Sequence, residues 1–385
     1  MLTRTARSVP YCLGSRQQDA RLLDEATVAT MALQTKTVES TYLALREMLS
    51  GVVPEFELSH KAELVYRINQ LKVERGAIIL GHNYMEPALY HSVCDVTGDS
   101  LELSRAAARA EADPIVFCGV RFMAETAKIL NPDRTVLLPS ERGGCSLAAS
   151  ITAEDVRQLR QRYPGVPVVS YINTYADVKA ESDAVCTSGN AARVVEAMGS
   201  DRVILLPDEY LALNVARETD KRIVIPTPTP VGQERRDAGA SSGVSYELIG
   251  WSGRCEVHEK FTVEDILTVR EQFPDVVVLA HPECSPEVVA ESDFSGSTSA
   301  MTKYVLGVDA PRYLLLTECS MGDNIAAEAH DKEMLRLCSV RCPHMNEISL
   351  EQVLASLRAN RYEIDVPEAI RVRARRAIDR MLEII

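Results

Sequence analysis

The sequence predicts an α/β protein of three similar αβα domains, with parallel sheets in a pseudo-threefold arrangement around a central active site. Three observations predict it. First, one cysteine-led motif occurs three times. Cys145, Cys255 and Cys342 each stand six positions before an apolar residue (Ile151, Phe261, Ile348), which is followed by Thr152, Thr262 or Ser349 and then by Glu154, Glu264 or Glu351. Second, stretches 151–174 and 261–284 align on each other without gaps. Third, helix-periodic stretches alternate with short β-branched runs, the grammar of parallel sheets covered by helices.

Taken in order, residues 1–55 read as an N-terminal extension. The first 18 residues carry Arg4, Arg7 and Arg16 and no acid, a faint likeness to a transit peptide. A variable extension is the plainer reading, with Met31 as a candidate start. Domain 1 spans 56–150. Its helix within 60–87 leads into a strand at Ala77–Leu80 and a polar tip, His82–Tyr84. Domain 2 spans 151–260. Thr152 is the N-cap, acids fill the first turn where the helix dipole favours them, and Val156, Leu159 and Tyr163 recur at helical spacing. Pro164 ends the helix, Val166–Val169 follows as a buried strand, and Tyr171–Asn173 is the tip. Domain 3 spans 261–349 and repeats this with Thr262, Ile266, Val269, Phe273, Pro274, the run Val276–Val278 and the tip His281–Glu283.

A second strand turning into a helix is expected at 114–130, 183–198 and 292–307, and a third at 135–145, 203–216 and 313–326. The helices of 350–385 open a fourth unit without a strand and are expected to pack back onto domain 1. Residues 226–243, rich in Pro, Gly and Ser, read as an inserted loop.

The bulk numbers bound the function. The chain has 385 residues, is 46% hydrophobic and 25% charged, and has no apolar run near the roughly 18 residues of a membrane span. A formal net charge of −13 argues against a nucleic-acid partner. Ten cysteines in a long chain without a secretory signal fit a reducing cytoplasm, where a cysteine framework points to metal or catalysis rather than disulfides.

Three cysteines at equivalent points of a threefold chain would meet near its axis. Three thiolates can hold an iron–sulfur cubane with one iron left open as a Lewis acid. Zinc is the rival, with a Cys₃His set recruiting His258 or His344. Zinc ligands come in short paired spacings, whereas these cysteines stand 110 and 87 positions apart along the chain. Cys94, Cys118, Cys186 and Cys284 lack the repeated context and read as small buried hydrophobes.

Ligands of open parallel sheets bind beyond the carboxyl ends of the strands, so the tips are the candidate catalytic groups. His82, Tyr84, Tyr171, His281 and Glu283 can exchange protons, and the spacing His281–Pro282–Glu283 suggests an imidazole–carboxylate pair. Asn173 can orient a ligand by donating and accepting at once. Ser100, Ser188, Asn190, Ser297 and Thr298 stand where helices open, and there they either bind an anion or simply cap the helix.

The motifs "GHNYMEP", "GDSLEL", "GVRFMAETAKIL", "YINTYADVKA", "CEVHEKF", "HPE", "GSTSAM" and "CPHMN", in that order over residues 60–385, resemble the quinolinate synthases. The resemblance implies a transferase that condenses iminoaspartate with dihydroxyacetone phosphate to quinolinate, phosphate and water, in de novo NAD biosynthesis. It implies a [4Fe–4S] cluster on Cys145, Cys255 and Cys342. Substrate contacts are implied at His82, Ser100, Tyr171, Ile172, Asn173, Ser188, His281, Pro282, Glu283, Ser297 and Thr298, with Tyr84 as an active-site tyrosine. It further implies a supplier of iminoaspartate, an L-aspartate oxidase or an aspartate dehydrogenase. Three departures stand out: the first 55 or so residues, the 226–243 insert, and Cys338, which stands alone where some members carry two cysteines at two-residue gaps.

Overall fold

The computed structural model describes residues 32–226, 246–337 and 340–384. Residues 1–31, nearly all of the expected 226–243 insert, and Cys338 lie outside the described residues.

Three parallel sheets form. The first contains β1 (Ile78–His82), β2 (Val96–Gly98), β3 (Ile115–Cys118) and β4 (Val136–Leu137), in the order β2-β1-β3-β4. The second contains β5 (Val168–Tyr171), β6 (Ala184–Cys186), β7 (Val203–Leu206), β8 (Ile223–Val224) and β9 (Leu248–Ile249), in the order β6-β5-β7-β9-β8. The third contains β10 (Val277–Ala280), β11 (Phe294–Ser295), β12 (Arg312–Leu316) and β13 (Glu333–Leu335), in the order β11-β10-β12-β13. In each sheet the leading strand lies between the second and third strands of its own unit. Helices cover both faces, so the strands read as continuous apolar runs with Val168, Val169, Val278 and Leu279 fully buried.

The repeat extends to single atoms. Asp95, Asp183 and Asp293 each precede a second strand. Each accepts the backbone N–H of a leading strand, from Ile79, Val168 and Val278 at 2.8, 2.7 and 2.8 Å. Each is paired with a cation from the preceding helix, Lys72, Arg160 or Arg270.

The helices form for the reasons the sequence offers. Thr152 and Thr262 make capping boxes with Asp155 and Asp265, so two otherwise unpaired N-terminal donors are satisfied in each. At Leu350–Ala359 the Ser349 N–H donates to Gln352 Oε1 at 3.2 Å.

Two expectations need correction. The leading strands begin one or two residues later than predicted and run further, with β1 and β5 paired to their polar ends at His82 and Tyr171. The matching of strands in the first unit was also displaced by one. The counterpart of β6 and β11 is β2, followed by helix Ser100–Arg109, and not 114–130. Residues 114–130 instead supply β3 and helix Arg121–Leu130, equivalent to β7 and β12 with their helices. β2 is only Val-Thr-Gly, too short to stand out as an apolar run.

Within the expected extension, helix Val38–Met48 packs on helix Glu55–Arg75. Helix Leu350–Ala359 packs on that same helix, and Tyr362 and Ile364 bond the backbone of Leu138 and Val136 beside β4. The last helix, Glu368–Glu383, does not rest on the first unit alone. It straddles Arg121–Leu130 of the first unit and Ala176–Ala180 with β6 of the second.

Candidate active site

The carboxyl ends of the three sheets open on one shared cavity. The first unit contributes His82, Tyr84 and Ser100, the second Tyr171, Asn173 and Ser188, and the third His281, Glu283 and Thr298. Cys145, Cys255 and Cys342 line the same cavity. Ile172, Pro282 and Ser297, also expected at the site, do not. Ile172 belongs to the hydrophobic core, the Pro282 carbonyl accepts from Asn214, and the Ser297 hydroxyl accepts from the Ala300 N–H as a helix cap. For Ser297 the capping alternative describes its contact. Asn190 stands at the N-cap position but makes no capping bond; its Oδ1 accepts from the Thr187 N–H at 2.7 Å.

The tips set the state of the imidazoles. The Tyr84 N–H donates to His82 Nδ1 at 3.2 Å, and the Glu283 N–H donates to His281 Nδ1 at 3.3 Å. In a neutral ring the proton then sits on Nε2. Burial lowers the His82 pKa to about 4, and burial together with the neighbouring His258 lowers that of His281 to about 3. Both rings are therefore neutral near pH 7 and offer an Nε2–H donor.

The expected His281–Glu283 ion pair does not form. A ring that accepts the backbone N–H two residues on is turned away from that residue's side chain. The Glu283 carboxylate instead accepts from Tyr171 Oη at 2.6 Å and Asn173 Nδ2 at 3.2 Å, and meets His258 Nδ1 at 2.8 Å. His258 stacks on His281 with ring centroids 4.5 Å apart. Its Nε2 lies 3.0 Å from Thr317 Oγ1, which lies 2.5 Å from Tyr84 Oη. A continuous hydrogen-bonded chain thus runs Asn173/Tyr171–Glu283–His258–Thr317–Tyr84. Burial alone would raise the Glu283 carboxyl, but His258, His281 and the Tyr171 hydroxyl outweigh it and hold the group well below the usual carboxylate range. Burial and the Glu283 charge push both Tyr84 and Tyr171 well above the usual phenol range.

The cysteines repeat one local geometry. Backbone N–H groups two and three residues on face each sulfur, Leu147 and Ala148 at Cys145, Val257 and His258 at Cys255, His344 and Met345 at Cys342, and that of Ala148 donates to Cys145 Sγ at 3.4 Å. Burial raises the thiols, Cys145 to about 12, Cys342 to about 11 and Cys255 well above the usual range, and neighbouring negative charge adds to this. Three part-buried cysteines facing one cavity, each with N–H dipoles aimed at its sulfur, fit a thiolate-bound metal group whose positive charge would reverse those shifts. Cys255, His258 and Glu283 form a second possible donor set, with ligand atoms within 4.8 Å of one another. Two of its members are already hydrogen-bonded to each other, so the three-cysteine set is the better fit to a cluster.

Sequence reasoning reached His258 only as a zinc alternative and missed Thr317. The "CEVHEKF" stretch held the signal for His258, three residues after a repeated cysteine. Thr317 has no signal beyond its place at the end of β12. Cys94, Cys118, Cys186 and Cys284 are fully buried.

Comparison with known proteins gives one family. The family model described as NadA, quinolinate synthetase A protein, matches residues 66–383. Quinolinate synthase 2 of Mesorhizobium japonicum is 50% identical over 348 residues, which is 90% of this chain and 99% of the relative. Quinolinate synthase of Agrobacterium fabrum is 51% identical over 341 residues, 89% of this chain and 91% of the relative. That of Xylella fastidiosa (strain 9a5c) is 52% identical over 317 residues, 82% and 86% of the two chains.

Proposed function

The chain belongs to the quinolinate synthetase A family, an enzyme family of NAD biosynthesis, and on that premise we propose that it condenses iminoaspartate with dihydroxyacetone phosphate to quinolinate, phosphate and water. The cofactor of this reading is a [4Fe–4S] cluster on Cys145, Cys255 and Cys342. One observation carries it: three cysteines from distant parts of the chain line the same cavity as the polar tips of all three sheets. Bound there, such a cluster supplies an open iron that polarises a substrate oxygen as a Lewis acid.

The chain's own residues do the rest. Both substrates are anions, yet no Lys or Arg lines the cavity among the described residues. Their charge is met by the opening turns of helices Ser100–Arg109 and Thr298–Gly307, by hydroxyls of Ser100, Ser188 and Thr298, and by the Nε2–H groups of His82 and His281. Asn173 uses its Nδ2 on Glu283, while its buried Oδ1 has no partner in the protein and is free to accept from a substrate nitrogen. Loss of phosphate and water requires protons to be moved. Glu283 and His258 are the pair placed to take and return them, with Tyr171 and Tyr84 at the ends of the chain. An L-aspartate oxidase or an aspartate dehydrogenase would supply iminoaspartate, an unstable imine. No described helix is long and apolar enough to cross a membrane, and cytoplasm is the compartment we assign.

The test is metal and product analysis on protein purified without oxygen. The expectation is about four irons and four sulfides per chain, quinolinate from the two named substrates, and loss of iron in Cys145→Ser, Cys255→Ser and Cys342→Ser. Zinc in place of iron and sulfide, or no quinolinate from fully loaded protein, would overturn the reading.

A further inference from the structure

The three tips are each bridged by one side-chain nitrogen at the same two places. In the first unit, Asn324 Nδ2 donates to the carbonyls of Asn83 and Met85, at 3.1 and 2.9 Å. In the third, Asn214 Nδ2 donates to the carbonyls of Pro282 and Cys284, at 2.8 and 2.9 Å. In the second, Lys179 Nζ donates to the carbonyl of Ile172 at 2.9 Å and to that of Thr174. These carbonyls stand one and three residues after His82, His281 and Tyr171. The two asparagines come from equivalent helices, Cys319–Glu328 and Glu209–Glu218, and each reaches into a neighbouring unit. The matching helix Arg121–Leu130 of the first unit uses Glu125 instead, accepting the Ala176 N–H at 2.9 Å just past the second tip. The tip carbonyls there are left to Lys179.

These bridges are costly to fold. Oδ1 of both asparagines is buried without a protein partner. Lys179 is fully buried, and among the described residues no carboxylate pairs with its ammonium. A buried cation with no carboxylate in ion-pair contact, and two half-satisfied amides, are poor choices for stability alone.

We infer that Asn324, Asn214 and Lys179 are equivalent positioning residues, one per tip, that fix the directions of His82 and Tyr84, of His281 and Glu283, and of Tyr171 and Asn173. The inference rests on the reading of this cavity as the active site. The bridges act on the backbone and touch no reacting atom, so their effect must pass through the tip side chains.

A double-mutant cycle on the cluster-loaded protein tests this. Asn214→Leu is expected to lower kcat about tenfold or more, with KM and iron content close to wild type. In the Glu283→Gln background the same substitution is expected to cost clearly less, because one of the two groups it aims is already gone. Equal losses in the two backgrounds, or no loss in the first, overturn the inference. Should Asn214→Leu not fold, Lys179→Met against Tyr171→Phe is the same cycle at the second tip. Hydrogen exchange decides the matter without turnover: peptides spanning 280–285 in Asn214→Leu, or 170–176 in Lys179→Met, are expected to exchange faster than wild type while the sheets do not. Unchanged exchange at the tips overturns the inference even if wild-type protein makes no quinolinate, an outcome that by itself counts against the reaction and not against the bridges.

Discussion

Glu283 shows how much one side chain's neighbours decide. Its carboxylate is buried, yet three groups hold it ionised: His258, His281 and Tyr171. Glu283→Gln keeps the shape and removes the charge, leaving His258 without the partner that orients it. Turnover is expected to fall about a hundredfold with iron content unchanged, and full turnover in that variant would remove Glu283 from the proton chemistry. Lys179 carries the opposite burden. Burial lowers its pKa to about 8, against 10.5 for the free side chain. Between those values the unfolded chain binds the proton and the folded chain does not, so this residue's contribution to stability rises with pH across that window. The sign gives a test. Wild type relative to Lys179→Met should gain on the order of 3 kcal/mol between pH 8 and 10.5, read from denaturant midpoints at each pH. The sequence marked Glu283 but not its partner, because "HPE" places His281 nearer in sequence while the turn places His258 nearer in space.

At the scale of elements, local rules were legible wherever an element satisfies its own ends. Thr152 and Thr262 were readable as caps because the side chain, the acids after it and the apolar spacing agree within one turn. Thr262→Ala is expected to destabilise the protein by about 1 kcal/mol, and Thr152→Ala by a similar amount, with the midpoint of urea unfolding as the measurement. An unchanged midpoint in both would mean the boxes are ornamental. β2 was not legible. Its three residues hold their place through the ladder to β1 and the Asp95 contacts to the Ile79 backbone, both of which require β1 to be present first. Strand β9 is similar, a two-residue strand inserted between β7 and β8.

At the scale of the whole molecule, the three cysteine loops are tied by one carboxylate oxygen. Glu256 Oε1 accepts from Ser146 Oγ at 2.7 Å and lies 3.1 Å from His344 Nε2. These residues flank Cys255, Cys145 and Cys342, one from each unit. Glu256→Ala is expected to speed iron loss to a chelator by roughly tenfold, in the range set by contacts just outside a metal's ligands. Glu256→Gln, whose oxygen can still accept from both partners, should lose iron at close to the wild-type rate. Equal rates in all three proteins would show that the tie does not hold the loops.

The sequence by itself determined the repeat, the capped helices, the polar strand ends and the residue types that make iron–sulfur chemistry the natural reading, because each of these is written within a window of a few residues. Only the tertiary structure decided which imidazole faces Glu283, which carbonyls Asn214 and Asn324 bridge, and that Ile172, Pro282 and Ser297 stand outside the cavity. Those outcomes depend on how three sheets meet, and contacts between groups tens to hundreds of residues apart leave no local period to read.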